Sequence, residues 1–237
     1  MSSDARTGPD DASRRALLTA GLSLGAAVAL GSVQGAAAPA PKAAAKPAAV
    51  PAAGRKRWPT QPWDMSVGDP NAPVWIVEYL SLTCPHCAHF NNEVFPDFKA
   101  KYIDTGRVYY TIRELLTEPA QVAAAGFLTA RCNGGGRYFT IVDQVFRSQP
   151  RWRQGQIKPI FLEIAKGNGL TEAQFEACLV DDKAGEALEQ RIQYAVETDK
   201  VNGTPTFFIN GTLWADAGVP TLPEMDVAIA KALAGRR

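Results

Sequence analysis

Histidine is nearly absent from this 237-residue chain: His86 and His89 are the only two, beside four cysteines. Tetrahedral zinc needs four ligands. The two histidines lie in one short stretch with Cys84 and Cys87, and no second close Cys-x-x-Cys completes a zinc set. Haem attachment requires histidine directly after the second cysteine, where this chain has Ala88. No metal site and no cofactor is therefore expected. Internal repeats are missing too. Acidic residues are missing from 39 to 57, a stretch that carries Lys42, Lys46, Arg55, Lys56 and Arg57. Residues 58–237 hold 17 basic and 21 acidic side chains, a balance that offers no nucleic-acid surface.

Charge of either sign is also missing between Arg15 and Lys42. Ser13-Arg14-Arg15-Ala16-Leu17-Leu18 opens an apolar run to about Val33, rich in Gly and Ala and only mildly hydrophobic. Such a run behind paired arginines reads as a twin-arginine export signal, with a plain Sec signal as the second reading. Gly35-Ala36-Ala37 supplies small residues for cleavage; uncut, the run is long enough to span a bilayer as a tether. Residues 1–37 are thus expected to be an export signal. Residues 38–57, almost all Ala, Pro and Lys until the basic cluster, are expected to be an extended linker.

The remainder has the composition of a globular protein, with 46% hydrophobic and 21% charged residues in the whole chain. Val74 to Leu80 is a β-branched and aromatic run that predicts a buried strand. Phe90, Val94, Phe95 and Phe98 recur at helical spacing, predicting a helix over about 85–101, and 107–112 reads as a second strand. Strand, helix, strand at this spacing implies a parallel pair with a right-handed crossover. From Pro119 to about Asp182 the apolar stripes are helical. Thr171-Glu172-Ala173-Gln174 there has the form of a capping box. A further helix is expected over about 184–199. Two β-rich runs flank Asn210-Gly211, the residue pair that a type I′ hairpin requires, and Leu222 to Leu233 reads as a closing helix. The expected fold is α/β, divided into 58–116, a helical insertion over 117–183, and 184–237.

Cys84-Pro85-His86-Cys87 lies between the first strand and the first helix. A thiol at a helix N-terminus faces unpaired N–H groups and the positive end of the macrodipole, both of which favour thiolate. The first sulfur is expected to face solvent as the nucleophile, with Cys87 buried behind it. A structural disulfide or half of a metal site is the alternative. His86 can favour the Cys84 thiolate through its side chain or its N–H; His89 reads as surface.

Together, Glu78, Cys84-Pro85-His86-Cys87 and Val201-Asn202-Gly203-Thr204-Pro205-Thr206-Phe207-Phe208-Ile209-Asn210-Gly211 resemble the thioredoxin-fold disulfide oxidoreductases. Among these, the likeness is to the DsbA-like family of exported bacterial enzymes, and it spans about residues 65–236. The resemblance implies a thioredoxin fold with an inserted helical domain. It implies a disulfide at Cys84–Cys87 that is donated to reduced, unfolded or newly exported proteins in the periplasm. A membrane quinone-linked, DsbB-like partner would reoxidise a monomeric enzyme. It also implies a cis Thr204–Pro205 bond, with the Thr204 backbone beside Cys84 to bind extended substrate, against an ordinary trans loop.

Threonine before this proline is frequent in isomerases of the fold. A disulfide isomerase or reductase is therefore the alternative enzyme, and a client-binding chaperone or metal carrier the alternative outside enzymes. Glu78, six residues before Cys84, is an acid in an apolar strand. It is expected either to exchange a proton with Cys87 through water or to form a structural ion pair, with Arg113 as the candidate cation. Asn91 stands where some relatives carry Glu. Cys132 and Cys178 are expected to form a structural disulfide, closing a loop of about 46 residues that is worth roughly 4 kcal/mol by chain entropy; two buried free thiols are the alternative.

Overall fold

The computed structural model describes residues 58–235. The expected signal and linker, 1–37 and 38–57, lie outside the described residues. No helix among the described residues is long and apolar enough to cross a membrane.

Five strands form one sheet in the order β1-β3-β2-β4-β5. β2 (Val74–Leu80) and β3 (Val108–Glu114) are the parallel pair at its centre, in a register that sets Glu78 opposite Ile112. β1 (Met65–Val67) adds an antiparallel edge to β3. β4 (Thr206–Ile209) runs antiparallel to β2, and β5 (Thr212–Ala215) forms the other edge. Asn210 and Gly211 hold φ of 49° and 81°, the left-handed pair that the hairpin needs.

Because side chains alternate along a strand, β2 reads as two lists. Val74, Ile76 and Leu80 enter a large core with Val108, Tyr110, Ile112, Phe207 and the helices. Trp75, Val77 and Tyr79 enter a smaller cluster on the other face with Phe208, Ala195 and Val201. Trp58 covers that second face, its ring 4.4 Å from Phe208.

The helix after β2 is longer and less regular than the apolar spacing predicts. It runs as α1 (Pro85–His89), a π turn over Phe90–Val94, α2 (Phe95–Phe98) and a second π turn over Lys99–Ile103. Pro96 lacks the N–H that an unbroken α ladder would use, and the wider turn before it takes up the difference. Then come α3 (Ala120–Arg131), α4 (Tyr138–Arg147), α5 (Gln149–Trp152), α6 (Ile157–Gly167) and α7 (Glu172–Leu179). Thr171 and Gln174 cap each other reciprocally at the start of α7. α8 (Asp182–Glu197) leads back to the sheet and α9 (Leu222–Ala234) closes the chain. Cys132 and Cys178 are bonded, with Cα atoms 5.9 Å apart, and tie the end of α3 to α7.

Candidate active site

β2 ends at Leu80 and the chain turns through Ser81-Leu82-Thr83 into α1. Cys84 is the N-cap of α1, and its sulfur accepts from the Cys87 N–H at 3.5 Å. Pro85 occupies the first turn, where its missing N–H leaves no bond unmade. Both thiols are unbonded. Cys84 is 5% exposed and Cys87 fully buried. The first sulfur is thus more enclosed than the sequence predicts: in its protonated form the Cys84 thiol donates to the Thr204 carbonyl at 3.3 Å, so β4 and its approach cover one side of it.

The two thiols differ sharply in acidity. Cys84 is lowered to about 5, chiefly by a hydrogen bond from the Cys87 side chain, against the opposing effect of burial; the backbone N–H groups of Cys87 and His86 add to the lowering. Cys87 is raised well above the ordinary thiol range by burial, by that same hydrogen bond and by the nearby Glu78. His86 therefore acts on the sulfur through its main chain, while its imidazole, like that of His89, is exposed.

The Thr204–Pro205 peptide is cis, and so is Glu118–Pro119, which the sequence did not single out. Thr204 Oγ1 is buried, and the Thr204 side chain adds to the lowering of the Cys84 thiol.

Glu78 lies on the core face of β2, 2% exposed, and is raised to about 8 by burial, which outweighs the lowering effect of a hydrogen bond from Tyr110. The expected partnership with Arg113 does not form. Arg113 projects from the opposite face of the sheet, where its guanidinium pairs with Asp64 at 2.7 Å and Asp199 at 2.8 Å and donates to the Tyr79 hydroxyl oxygen at 3.3 Å. Strand parity is the reason: Tyr110 and Ile112 share the face of Glu78, and Arg113 cannot. Asn91 donates to Asp143 of α4 at 3.0 Å, which fastens the first helix to the helical region.

Sequence reasoning missed a brace from α5. The Gln149 amide donates to the carbonyls of Leu82 at 2.8 Å and Cys84 at 3.2 Å, and Arg153 donates to the Thr83 carbonyl at 2.9 Å. An open groove of about 1060 Å³ lies elsewhere, between β5 and α9, and contains none of the sulfur groups.

The arrangement can exchange one disulfide for another. It holds a thiolate of low basicity at a helix start, a buried partner thiol of high basicity, and a carbonyl from a neighbouring strand alongside. The chain belongs to the thioredoxin family, whose model, described as Thioredoxin, matches residues 60–225, and its fold is DsbA-like. A Rickettsia bellii protein provisionally named a protein-disulfide oxidoreductase is 34% identical over 150 residues, covering 62% of this chain and 57% of that protein. A Rickettsia felis protein with the same provisional name is 32% identical over 172 residues, 72% of this chain and 60% of that one. The crystal structure of α-DsbA1 from Wolbachia pipientis aligns with a TM-score of 0.64 at 29% identity, covering 74% of this chain and 94% of the other. The chain spans about three fifths of the length of those two curated relatives.

Proposed function

We propose that the protein is a thiol–disulfide oxidoreductase that introduces disulfides into exported proteins through Cys84 and Cys87. The observation that carries this reading is the pair of thiols at one helix start, Cys84 as the N-cap accepting the Cys87 N–H with the carbonyl of cis-linked Thr204 at 3.3 Å. A substrate thiolate attacks Cys84 Sγ of the Cys84–Cys87 disulfide. The substrate–Cys84 bond forms, the Cys84–Cys87 bond breaks, and its electron pair passes to Cys87, which takes a proton from Glu78. A second substrate thiolate then attacks the substrate sulfur and displaces Cys84 as thiolate.

The acidity of Cys84 supports the donor direction, because a good leaving group favours release of oxidised substrate. The Thr204 main chain offers sequence-indifferent pairing to an extended substrate. On this reading residues 1–37 direct export to the periplasm, and the enzyme works as a monomer. A membrane quinone-linked partner regenerates its disulfide.

The experiment is oxidation of a reduced, unfolded protein carrying two thiols by the oxidised chain. Cys84→Ser is expected to abolish disulfide transfer. Client binding that survives this substitution, with no transfer by the wild type, would instead identify a chaperone or carrier.

A further inference from the structure

We propose that Tyr110 is a positioning residue for the proton exchanged with Cys87, holding the Glu78 carboxyl so that Oε1 alone carries it. The inference rests on the dithiol reading above. The Tyr110 hydroxyl, on β3, donates to Glu78 Oε2 on β2, both groups being buried. Glu78 Oε1 is equally buried and has no hydrogen-bond partner among the described residues. The terminal torsion of a glutamate is broad, so an unheld carboxyl could present either oxygen. Donation to Oε2 makes that atom the acceptor and leaves Oε1 to bear the hydrogen. Phe95 and Phe98 wall the phenol, with ring centroids 5.0 and 5.9 Å from its own, and leave it little freedom to turn away.

The groups around this pair consist of few elements. Cys84 and Cys87 face it from the start of α1, and Tyr138 from α4. The Tyr138 hydroxyl donates to Glu114, which is paired with Arg131 and Arg191, so those cations are already engaged. Arg113 is committed on the other face of the sheet. Tyr110 is thus the hydrogen-bond donor that Glu78 has in place of a cation. When the Cys84–Cys87 bond breaks, the proton leaves Oε1 and is relayed through water to Cys87 Sγ, and the carboxylate that remains keeps the Tyr110 hydrogen bond. In the return direction Cys87 gives that proton back to Oε1. Its thiolate then attacks Cys84 Sγ in a mixed disulfide, and the thiolate bound there departs.

The return step supplies the test. Cys84 is loaded as a mixed disulfide with a chromogenic aryl thiol, and release of the aryl thiolate by Cys87 is followed against pH. The wild-type rate is expected to rise to an inflection near 8, where Glu78 ionises. Tyr110→Phe should move the inflection upward by about one pH unit, because the hydrogen bond that favours the carboxylate is gone. Fluorotyrosine at 110, a stronger donor, should move it downward and serves if the phenylalanine variant does not fold. Glu78→Gln should remove the inflection, and adding Tyr110→Phe to it should leave the profile unchanged. Inflections at the wild-type pH in both Tyr110 variants, with loss in Glu78→Gln, would overturn the Tyr110 assignment and leave the dithiol reading standing. Absence of release from the wild type would remove the dithiol reading and this inference together.

Discussion

Two side chains with displaced acidities set the chemistry at the scale of the residue. Cys84, lowered to about 5, is thiolate at neutral pH, so its ultraviolet thiolate absorbance should titrate with a midpoint near 5; a midpoint near 9 would contradict the N-cap geometry. The sign for stability follows. The folded thiol is more acidic than the unfolded one, so the reduced form gains stability above the folded value, and the gain is lost as pH falls through about 5. The reduced protein should therefore melt above the oxidised one at pH 7, with the margin shrinking in acid. Glu78 has the opposite sign. Its folded carboxyl keeps a proton that the unfolded chain has lost between about 4.5 and 8, so stability falls as pH rises through that window. Glu78→Gln should remove the loss, worth roughly 3–5 kcal/mol at the top of the window, with no effect at pH 4, as read by urea unfolding.

Elements decide how firmly those residues are held. The turn from β2 into α1 has no ladder of its own, and α5 supplies its carbonyls with donors through Gln149 and Arg153. Gln149→Leu should cost roughly 1–3 kcal/mol by leaving the buried Leu82 carbonyl without a partner, measurable by denaturant unfolding. Gly126 of α3 packs on the same turn: a Cβ there would meet Leu82 Cδ1 at 2.6 Å. Gly126→Ala should destabilise by about 1–3 kcal/mol through overpacking.

What the sequence disclosed at this scale was what is local. The strand and helix around Cys84, the Asn210-Gly211 hairpin and the Thr171 capping box each rest on residues a few positions apart. The Gln149 brace joins residues 65 positions apart and has no periodic signature. β1 is three residues long, too short for any period to show. The misplaced partner of Glu78 has a different cause. Arg113 is near it in the sheet, but strand parity sends the guanidinium to the other face.

The whole molecule combines a two-faced sheet with a cross-linked helical region. On the far face, Arg113 draws together Asp64, ahead of β1, and Asp199, after α8, and also donates to the Pro59 carbonyl at 2.9 Å. Arg113→Ala would leave two buried carboxylates without their cation and should cost about 3–5 kcal/mol. The Cys132–Cys178 bond constrains a separate stretch. Replacing both by Ser should lower stability by roughly 2–4 kcal/mol while leaving disulfide exchange at Cys84 unchanged, because neither sulfur contacts the Cys84 site.

The central claim is that Cys84 and Cys87 form an oxidising pair. Its most direct test is the reduction potential of that pair, measured by equilibration in glutathione buffers with the Cys132–Cys178 bond intact. A value near about −120 mV is predicted, since the thiolate held at Cys84 stabilises the reduced form; a value near about −270 mV would mark a reductase and contradict the account.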